Sequence, residues 1–439
     1  MNRRVRRWVG LVLALAVLGV GFTPPYRTLE RLPAELQLAS GAEAALDLAG
    51  RGFLAVRGDR PQGLVVDGTP LGTEWRAVRH DVLRLTARGT GVTHLQVALF
   101  GWLPLRTVTV DVRPTVTVVP GGQAIGVVLH SDGVVVVDEA GLRDRDGRVR
   151  HPAQEAGVRV GDVIVAVNGA EVADKEDAAR KIDAAARSGR PIALTVRRDG
   201  RILTLSVQPV WDVRAGRYLV GVWIRDGASG VGTLTFYDPQ SRRFAALGHV
   251  VSDSRTGEPY EIRDGEIVGA IVSDIDRGSA GSPGEKLAVF VGRRQPLGTL
   301  EKNTEVGVFG RLLNIPDGGG APVPIALPQE VHTGPAVIRT VLHGQKIDTF
   351  DVEIERVALQ DRPAGKGLIV RVTDPRLLRE AGGIVQGMSG SPILQDGKLV
   401  GAVTHVFVND PTRGYGVLAI WMAEEAGLLT TSRAAAPGF

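Results

Sequence analysis

The C-terminal half of the chain constrains its fold most strongly, because it consists of short apolar runs broken by glycine and proline. Between residues 212 and 430 such runs recur at strand length, with two short helical windows, 376–381 and 421–427. A parallel α/β fold needs a helix between successive strands and is therefore disfavoured. The 57 glycines and 25 prolines of the whole chain favour mainly β structure with many turns. About 220 residues in many short strands fit a pair of β-barrels.

A serine flanked by glycines stands immediately before one of these strands. The segment Gly387–Pro392 reads Gly-Met-Ser-Gly-Ser-Pro, and strand-like residues follow it. Small neighbours allow a substrate carbonyl to approach Ser389, and nearby backbone amides can face the oxyanion that forms. The same residues also suit an ordinary turn between strands. A similar segment, Gly278–Pro283, has alanine where Ser389 falls, and we interpret it as a turn.

A hydroxyl nucleophile requires a base, and the base requires an orienting group. Four of the eight histidines lie in this half of the chain. His249 stands in an apolar run broken by one glycine, where an imidazole can be held firmly and face a cleft. His405 is the alternative, being close to Ser389 in sequence, but its neighbours predict a packed strand. His332 and His343 lie in less regular sequence, and the residues alone leave the choice open.

The N-terminus has the pattern of an export signal. Four arginines between residues 3 and 7 precede the apolar run Trp8–Phe22, which is short for a membrane-spanning helix. Residues 1–25 are therefore predicted to be a signal peptide or an uncleaved membrane anchor. In either case the basic end stays inside, and the rest of the chain lies across the membrane.

Residues 26–112 alternate short apolar runs with turns and predict a small β-sandwich-like module. In its last run Val108, Val110 and Val112 would share one face of a strand, opposite Thr107, Thr109 and Asp111. We interpret this module as a spacer or docking domain without catalytic residues. The chain has no cysteine, which excludes disulfides, thiolate catalysis and cysteine-based zinc sites. Its basic residues are dispersed and aromatic residues make up 5% of it, so a nucleic-acid partner is disfavoured.

Residues 113–211 carry the most specific motif of the chain. The run from Ala156 to Gly169 reads A-G-(x3)-G-D-x-I-x-x-V-N-G and resembles a PDZ domain of the type found with bacterial proteases. In such domains an extended peptide adds as a strand, and its carboxylate binds loop amides. The resemblance assigns that loop to four consecutive residues, Gln123, Ala124, Ile125 and Gly126.

Longer strings give a second resemblance. The segments Ala246–Asp253 and Gly382–Val417, the preceding PDZ-like region and the basic, apolar N-terminus together resemble the stage IV sporulation protein B peptidases, which are serine peptidases of endospore-forming bacteria. The resemblance implies a chymotrypsin-like double β-barrel over residues 212–439. It also implies a catalytic triad of three residues, His249, Asp374 and Ser389.

The implied roles follow serine-peptidase chemistry. Ser389 attacks the carbonyl, His249 transfers the proton, Asp374 orients the imidazole, and the amides of Gly387 and Ser389 bind the oxyanion. Asp374 is the least secure member, because its position close to Ser389 in sequence is unusual for chymotrypsin-like enzymes. The alternatives that the sequence leaves open are Asp253, Asp274 and Asp276. Met388 stands where chymotrypsin-like zymogens have an aspartate, so activation by a buried ion pair to a new N-terminus is not expected.

The resemblance further implies an exported endopeptidase of sporulation signalling. It would cleave a membrane-bound regulator, and itself, in the space between the forespore and mother-cell membranes, leading to activation of a late mother-cell sigma factor. A PDZ scaffold without activity and a general quality-control protease of the cell envelope are the alternatives. We expect no metal or organic cofactor, because no histidine, aspartate or glutamate cluster has ligand spacing.

Overall fold

The computed structural model describes residues 32–48, 53–59, 63–198, 200–252, 257, 259–260, 264–292, 295–358, 360 and 362–429. Within these residues no helix has both the length and the apolar character needed to cross a membrane. The predicted signal or anchor, residues 1–25, lies outside the described residues. The described fold is mainly β, as predicted, and divides into two compact units, with the N-terminal module ending at Val116.

The N-terminal module is a sandwich of two sheets around one aliphatic core. A five-stranded sheet has the order β1-β9-β8-β3-β6, and a four-stranded sheet has the order β2-β7-β4-β5. Val108, Val110 and Val112 are buried in the core, as the alternation predicts. The strands are β1 Glu35–Ala39, β2 Glu43–Asp47, β3 Leu54–Gly58, β4 Leu64–Val66, β5 Thr69–Pro70, β6 Arg76–Ala77, β7 Val82–Ala87, β8 Gly91–Leu99 and β9 Leu103–Arg113.

The next region contains a PDZ-like fold with its own core, which the strands β11, β14 and β16 build together with helix α2. Asp174 caps that helix by accepting a hydrogen bond from the Asp177 amide. Asn168 and Gly169 both have positive φ, the conformation that a tight Asn-Gly turn requires. The elements are β10 Thr117–Pro120, β11 Ala124–Glu139, β12 Leu142–Arg143, β13 Val149–Arg150, α1 Pro152–Glu155, β14 Val163–Val167, β15 Ala170–Glu171, α2 Lys175–Ala186, β16 Ile192–Arg198, β17 Arg201–Val207, β18 Val210–Asp212 and β19 Arg217–Leu219.

The first barrel is a ring of six strands in the order β11-β22-β24-β25-β21-β20, which closes because β20 also pairs with β11. Phe244 and Ile125 are fully buried in its interior. β23 extends the sheet from β22, and β26 pairs with β10. The added strands are β20 Val222–Tyr237, β21 Arg243–Ala246, β22 Asp264–Asp276, β23 Glu285–Val291, β24 Gly298–Thr304, β25 Gly307–Leu312 and β26 Val323–Pro324.

The second barrel is closed by six strands in the order β27-β28-β29-β32-β31-β30. The two barrels agree with the predicted double-barrel architecture. The predicted helices also form, shifted by one or two residues. The elements are a 3₁₀ turn Pro328–Glu330, β27 Gly334–Val341, β28 Ile347–Val357, β29 Leu368–Val372, α3 Pro375–Glu380, β30 Pro392–Gln395, β31 Lys398–Phe407, β32 Asp410–Leu418 and α4 Ala419–Glu425.

Two long strands run through both the PDZ-like fold and the first barrel. β11 pairs with β14 inside the PDZ-like fold at Val134 and Val135, and with β22 inside the barrel from Ile125 to His130. β20 follows β11 along nearly its whole length. The first barrel therefore takes strands from both sides of the predicted domain boundary at residues 211 and 212.

This pairing corrects the prediction of a carboxylate-binding loop at residues 123–126. Ala124, Ile125 and Gly126 lie in β11, and Gly126 pairs with Val231 on one side and Val268 on the other. A strand that is paired on both sides uses its backbone amides in the two ladders, so these amides cannot also bind a peptide carboxylate. Gln123 is also engaged, because its carbonyl accepts from the Leu234 amide and its side chain donates to the Asp317 carbonyl.

One of the apolar runs after residue 212, Tyr218–Trp223, does not form a single strand. Gly221 has positive φ and separates β19 from β20. The segment Gly278–Pro283 is a turn, as predicted, in which Ser279 and Ser282 exchange backbone hydrogen bonds.

Candidate active site

The segment that carries Ser389 lies between the two barrels and is bonded to both. Thr233 of β20 donates from its amide to the Ser389 carbonyl at 2.9 Å, and from its hydroxyl to the Gly387 carbonyl at 2.9 Å. The Gly390 amide donates to the Val403 carbonyl of β31 at 2.7 Å. The first barrel thus fixes one side of the segment and the second barrel fixes the other.

Glycine is required at position 390 by geometry. Its φ is +91°, and a Cβ atom there would lie 2.1 Å from the Thr233 carbonyl oxygen and 2.5 Å from the Leu247 nitrogen. Any larger residue would push the segment away from the end of β21. This close approach brings Ser389 towards Leu247 and Gly248, which immediately precede His249.

The backbone amides of Gly387 and Ser389 donate no hydrogen bond to any of the described residues. Amides elsewhere in the segment are paired: Met388 donates to the Val385 carbonyl, and Ser391 donates to the Met388 carbonyl. Backbone amides in folded proteins are rarely left without a partner unless they face solvent or a ligand. The two amides predicted to bind an oxyanion are therefore available for that role.

The Ser389 hydroxyl is engaged in this structure. Its Oγ atom donates a 2.6 Å hydrogen bond to the Thr404 carbonyl on β31. No hydrogen bond joins Ser389 to His249 among the described residues. Reaction at Ser389 would require the hydroxyl to rotate away from Thr404 so that its proton could pass to a base.

His249 is held in one tautomer by its own backbone. Its Nδ1 atom lies 2.8 Å from the Val250 carbonyl oxygen. A carbonyl can only accept, so Nδ1 carries the proton and Nε2 of the neutral ring is the basic atom. Loss of hydration lowers the pKa of His249, and the Val250 carbonyl opposes this effect. The ring therefore remains neutral, and able to accept a proton, down to a lower pH than a free imidazole.

His405, the alternative base, lies against His249. The two ring centroids are 4.7 Å apart. Loss of hydration, the His249 imidazole and the Lys366 ammonium lower the pKa of His405 to about 4. Since Thr404 is the acceptor for Ser389, the two imidazoles and the serine hydroxyl belong to one site at the junction of the barrels.

Asp374 is placed elsewhere. Its buried carboxylate caps helix α3 by accepting from the Arg376 amide at 2.8 Å, and pairs with the Arg376 guanidinium at 2.8 Å. The bond to Arg376 lowers the pKa of Asp374 to about 2. Strand β29 lies between Asp374 and the site around Ser389. Gly365, whose carbonyl accepts a hydrogen bond from the Thr404 hydroxyl, comes before the strand, and Asp374 comes after it. A five-residue strand measures about 13 Å between its terminal Cα atoms, so Asp374 and His249 lie at opposite ends of it.

Two of the other acids left open by the sequence, Asp274 and Asp276, bond to neither histidine in the described structure. Asp274 accepts a hydrogen bond from the Ile275 amide, and Asp276 is exposed on the same strand. Asp253 lies outside the described residues. His332 and His343 are surface residues that pair with Asp396 and Glu380. The described residues contain no cluster of three or more side chains suited to binding a metal ion.

Exchanging Asp374 for asparagine tests whether this carboxylate orients the base. Asparagine caps a helix about as well as aspartate but cannot pair with Arg376, so we expect the free energy of unfolding to fall by about 1–2 kcal/mol. We expect the rate of self-cleavage to stay within about threefold of the wild-type rate, because Val250 already holds the His249 tautomer. Urea unfolding and self-cleavage of the same preparation measure both quantities. A loss of about 10⁴-fold in rate at unchanged stability would instead make Asp374 the third member of a triad.

Lys286, which no sequence motif marks, is 4% exposed and lies beneath the nucleophile segment. Its side chain packs against Gly387, where a Cβ atom would lie 3.1 Å from the lysine Cβ. Its Nζ atom donates to the Thr340 hydroxyl at 2.7 Å, and no carboxylate among the described residues pairs with it. Loss of hydration lowers the pKa of Lys286 to about 7. A lysine next to Leu287 and Ala288 in a strand gives no sequence signal that it faces inward.

Comparison with known families agrees with this architecture. Residues 216–423 match the model of the SpoIVB peptidase S55 family, and residues 124–208 match a PDZ domain. Residues 216–423 are thus similar to the SpoIVB peptidase S55 family, and the region before them is similar to a PDZ domain. No curated protein matches the chain.

The match to the SpoIVB peptidase family confirms the resemblance and supports a serine peptidase of sporulation. The peptidase match spans both His249 and Ser389, together with most of the first barrel and all of the second. The PDZ match begins at Ala124, the first residue of β11, which pairs with β22 in the first barrel. The match thus includes a strand segment that the PDZ-like fold and the peptidase share.

Proposed function

We propose that this protein is an exported serine endopeptidase with Ser389 as nucleophile and His249 as general base. One observation carries the proposal. At the junction of the barrels, a serine with two unpaired amides in its segment bonds to Thr404, and the ring of the next residue, His405, lies 4.7 Å from that of His249, whose Nε2 is the basic atom.

The chemistry follows from this arrangement. Ser389 Oγ attacks the peptide carbonyl carbon while its proton passes to His249 Nε2, and the Gly387 and Ser389 amides bind the resulting oxyanion. The proton then passes to the leaving amine as the carbon–nitrogen bond breaks. Water, activated by the same imidazole, hydrolyses the acyl-enzyme. The Val250 carbonyl takes the orienting role that an aspartate has in a triad.

The hydrogen bond from Ser389 to the Thr404 carbonyl suggests how activity is controlled. In that state the hydroxyl proton is directed to an acceptor that cannot act as a base at neutral pH. Activity then depends on a small rearrangement of the nucleophile segment. Thr233 of β20 holds this segment through two carbonyls, and the first residues of β20 belong to the PDZ-like fold. A peptide bound there would act on the nucleophile through one continuous strand.

The substrate follows from the resemblance and the family. We propose that the enzyme cleaves itself and a membrane-bound regulator in the space between the forespore and mother-cell membranes, which leads to activation of a late mother-cell sigma factor. Two alternatives remain: a PDZ scaffold would need no free amides beside a serine, and a quality-control protease would cleave unfolded chains in general.

One experiment separates the three functions. A tagged Ser389→Ala copy of the full chain in phospholipid vesicles is incubated with the wild-type chain, with unfolded β-casein in the same tube. A signalling peptidase cleaves the tagged copy at one site and leaves casein intact. Degradation of both proteins would support the quality-control function, and cleavage of neither would contradict a peptidase.

A further inference from the structure

The turn between β8 and β9 exposes large apolar side chains on the N-terminal module. Trp102 is 72% exposed, Phe100 61% and Phe53 60%. The rings of Phe53 and Phe100 meet edge to face, with centroids 5.8 Å apart. Leu103 continues the surface along the start of β9. These four residues form what we call the aromatic tip.

Phenylalanine is an unfavourable residue for the backbone conformation at position 100. Phe100 has φ +52° and Gly101 has φ +74°. Asparagine and glycine adopt this conformation readily, whereas an aromatic residue is strained in it. A strained conformation that places a ring in solvent suggests that the ring meets a partner.

The charges around the aromatic tip fit an anionic partner. No aspartate or glutamate occurs from Val97 to Val110. The Arg57 guanidinium stacks on the Trp75 ring, 4.5 Å from its centroid, and Trp75 lies directly against Gly101. An apolar tip flanked by a cation suits phospholipid, because aromatic rings prefer the headgroup level and arginine binds phosphate.

The course of the chain points to the same partner. β1 runs parallel to β9, with Glu35 opposite Thr109, and the Arg106 guanidinium donates to the Leu32 carbonyl at 3.0 Å. The N-terminal end of β1 is therefore on the same side of the module as the aromatic tip. The apolar run Trp8–Phe22 ends ten residues before Leu32, which is a reach of at most about 36 Å.

We propose that the aromatic tip inserts into the headgroup layer of an anionic phospholipid bilayer. The tip thereby gives the module a second membrane contact beside the N-terminal apolar run. This contact holds the N-terminal module itself at the membrane surface. It does not depend on the peptidase chemistry proposed above.

The absence of cysteine permits a local test on the full chain. A single cysteine replaces Leu103, which leaves the three rings in place, and carries the fluorophore NBD. A matched variant carries NBD at Thr90→Cys, an exposed position at the opposite end of β8. With vesicles of phosphatidylcholine and phosphatidylglycerol, we expect a blue shift and quenching by headgroup-proximal nitroxide lipids at position 103 only.

A further variant separates insertion from folding. Phe100→Asn removes one ring and relieves the positive φ, so the module should remain folded while quenching at position 103 falls severalfold. Equal responses at positions 90 and 103, or none at 103, would overturn the proposal. A spectral change that requires high protein concentration instead of vesicles would also overturn it, since a second copy of the chain would then cover the tip. Fluorophosphonate labelling of the same samples reports the peptidase chemistry separately.

Discussion

Replacing Ser389 by alanine is expected to lower the rate of self-cleavage by about 10⁴- to 10⁶-fold. In the proposed mechanism, the substitution removes the atom that forms the covalent bond to the substrate. The Ser389 hydroxyl contributes one hydrogen bond, to the Thr404 carbonyl, so the fold should change little. Self-cleavage of the full chain in vesicles, followed by electrophoresis over time, measures the rate.

Ser391→Ala is the matched control, two residues further along the same segment. The Ser391 hydroxyl is fully buried and has no hydrogen-bond partner in the described structure. Removing a buried hydroxyl that bonds to nothing should leave the free energy of unfolding unchanged, or raise it by up to about 1 kcal/mol. The rate of self-cleavage should remain at the wild-type value. Equal losses in both variants would mean that the segment matters only for folding.

Exchanging Lys286 for methionine is expected to stabilise the protein at pH 6. Methionine keeps an unbranched side chain against Gly387 but removes the buried ammonium. The pKa of Lys286 is about 7 in the folded chain, against an ordinary value of 10.5. A depression of this size corresponds to a few kcal/mol against the folded state when the lysine is charged in both states.

The effect should depend on pH with a defined sign. Between pH 7 and 10.5 the unfolded wild-type chain binds more protons than the folded chain, so its free energy of unfolding rises with pH across that window. The advantage of Lys286→Met is therefore largest below pH 7 and shrinks as the pH rises towards 10.5. The acidic residues nearest to Lys286 are its sequence neighbour Glu285 and, in the neighbouring strand, Asp274 and Asp276. All three are exposed.

Urea unfolding at pH 6 and pH 9 measures this difference. Lys346→Met serves as the control, because that lysine is exposed and pairs with Asp348 at the surface. Its effect should be small at both values. An advantage of Lys286→Met that is equal at pH 6 and pH 9 would show that the ammonium is not the source of the instability.

Much of the architecture could be predicted from the sequence because it depends on local pattern. The alternation at Val108, Val110 and Val112 fixes which face of β9 is buried. The Asn168-Gly169 pair fixes a turn by the conformations those residues tolerate. The glycines around Ser389 predict room for a substrate carbonyl, which stays a prediction; in the structure Gly390 is needed for a close approach to the Thr233 carbonyl.

The strands shared by the PDZ-like fold and the first barrel could not be predicted in this way. Ala124 pairs with Thr233, and no local pattern specifies a partner so distant in sequence. The same pairing explains why the predicted peptide loop at residues 123–126 is wrong, since its amides serve the barrel.

Two features of the site differ in whether they could be predicted from the sequence. The role of Asp374 as a helix cap could have been predicted, because an aspartate before Pro375 has the pattern of a helix N-terminus. The partner of His249 could not, because it is a backbone carbonyl, which every residue possesses. Residue type therefore identifies the nucleophile and the base better than the group that orients them.

The most direct test of the account is to locate the reactive serine chemically. The wild-type chain is treated with a fluorophosphonate, digested, and analysed by mass spectrometry, with His249→Ala treated in parallel. We expect one phosphonylated residue, Ser389, and far slower labelling in the His249→Ala chain. Labelling of another serine, or labelling of Ser389 at an equal rate without His249, would contradict it.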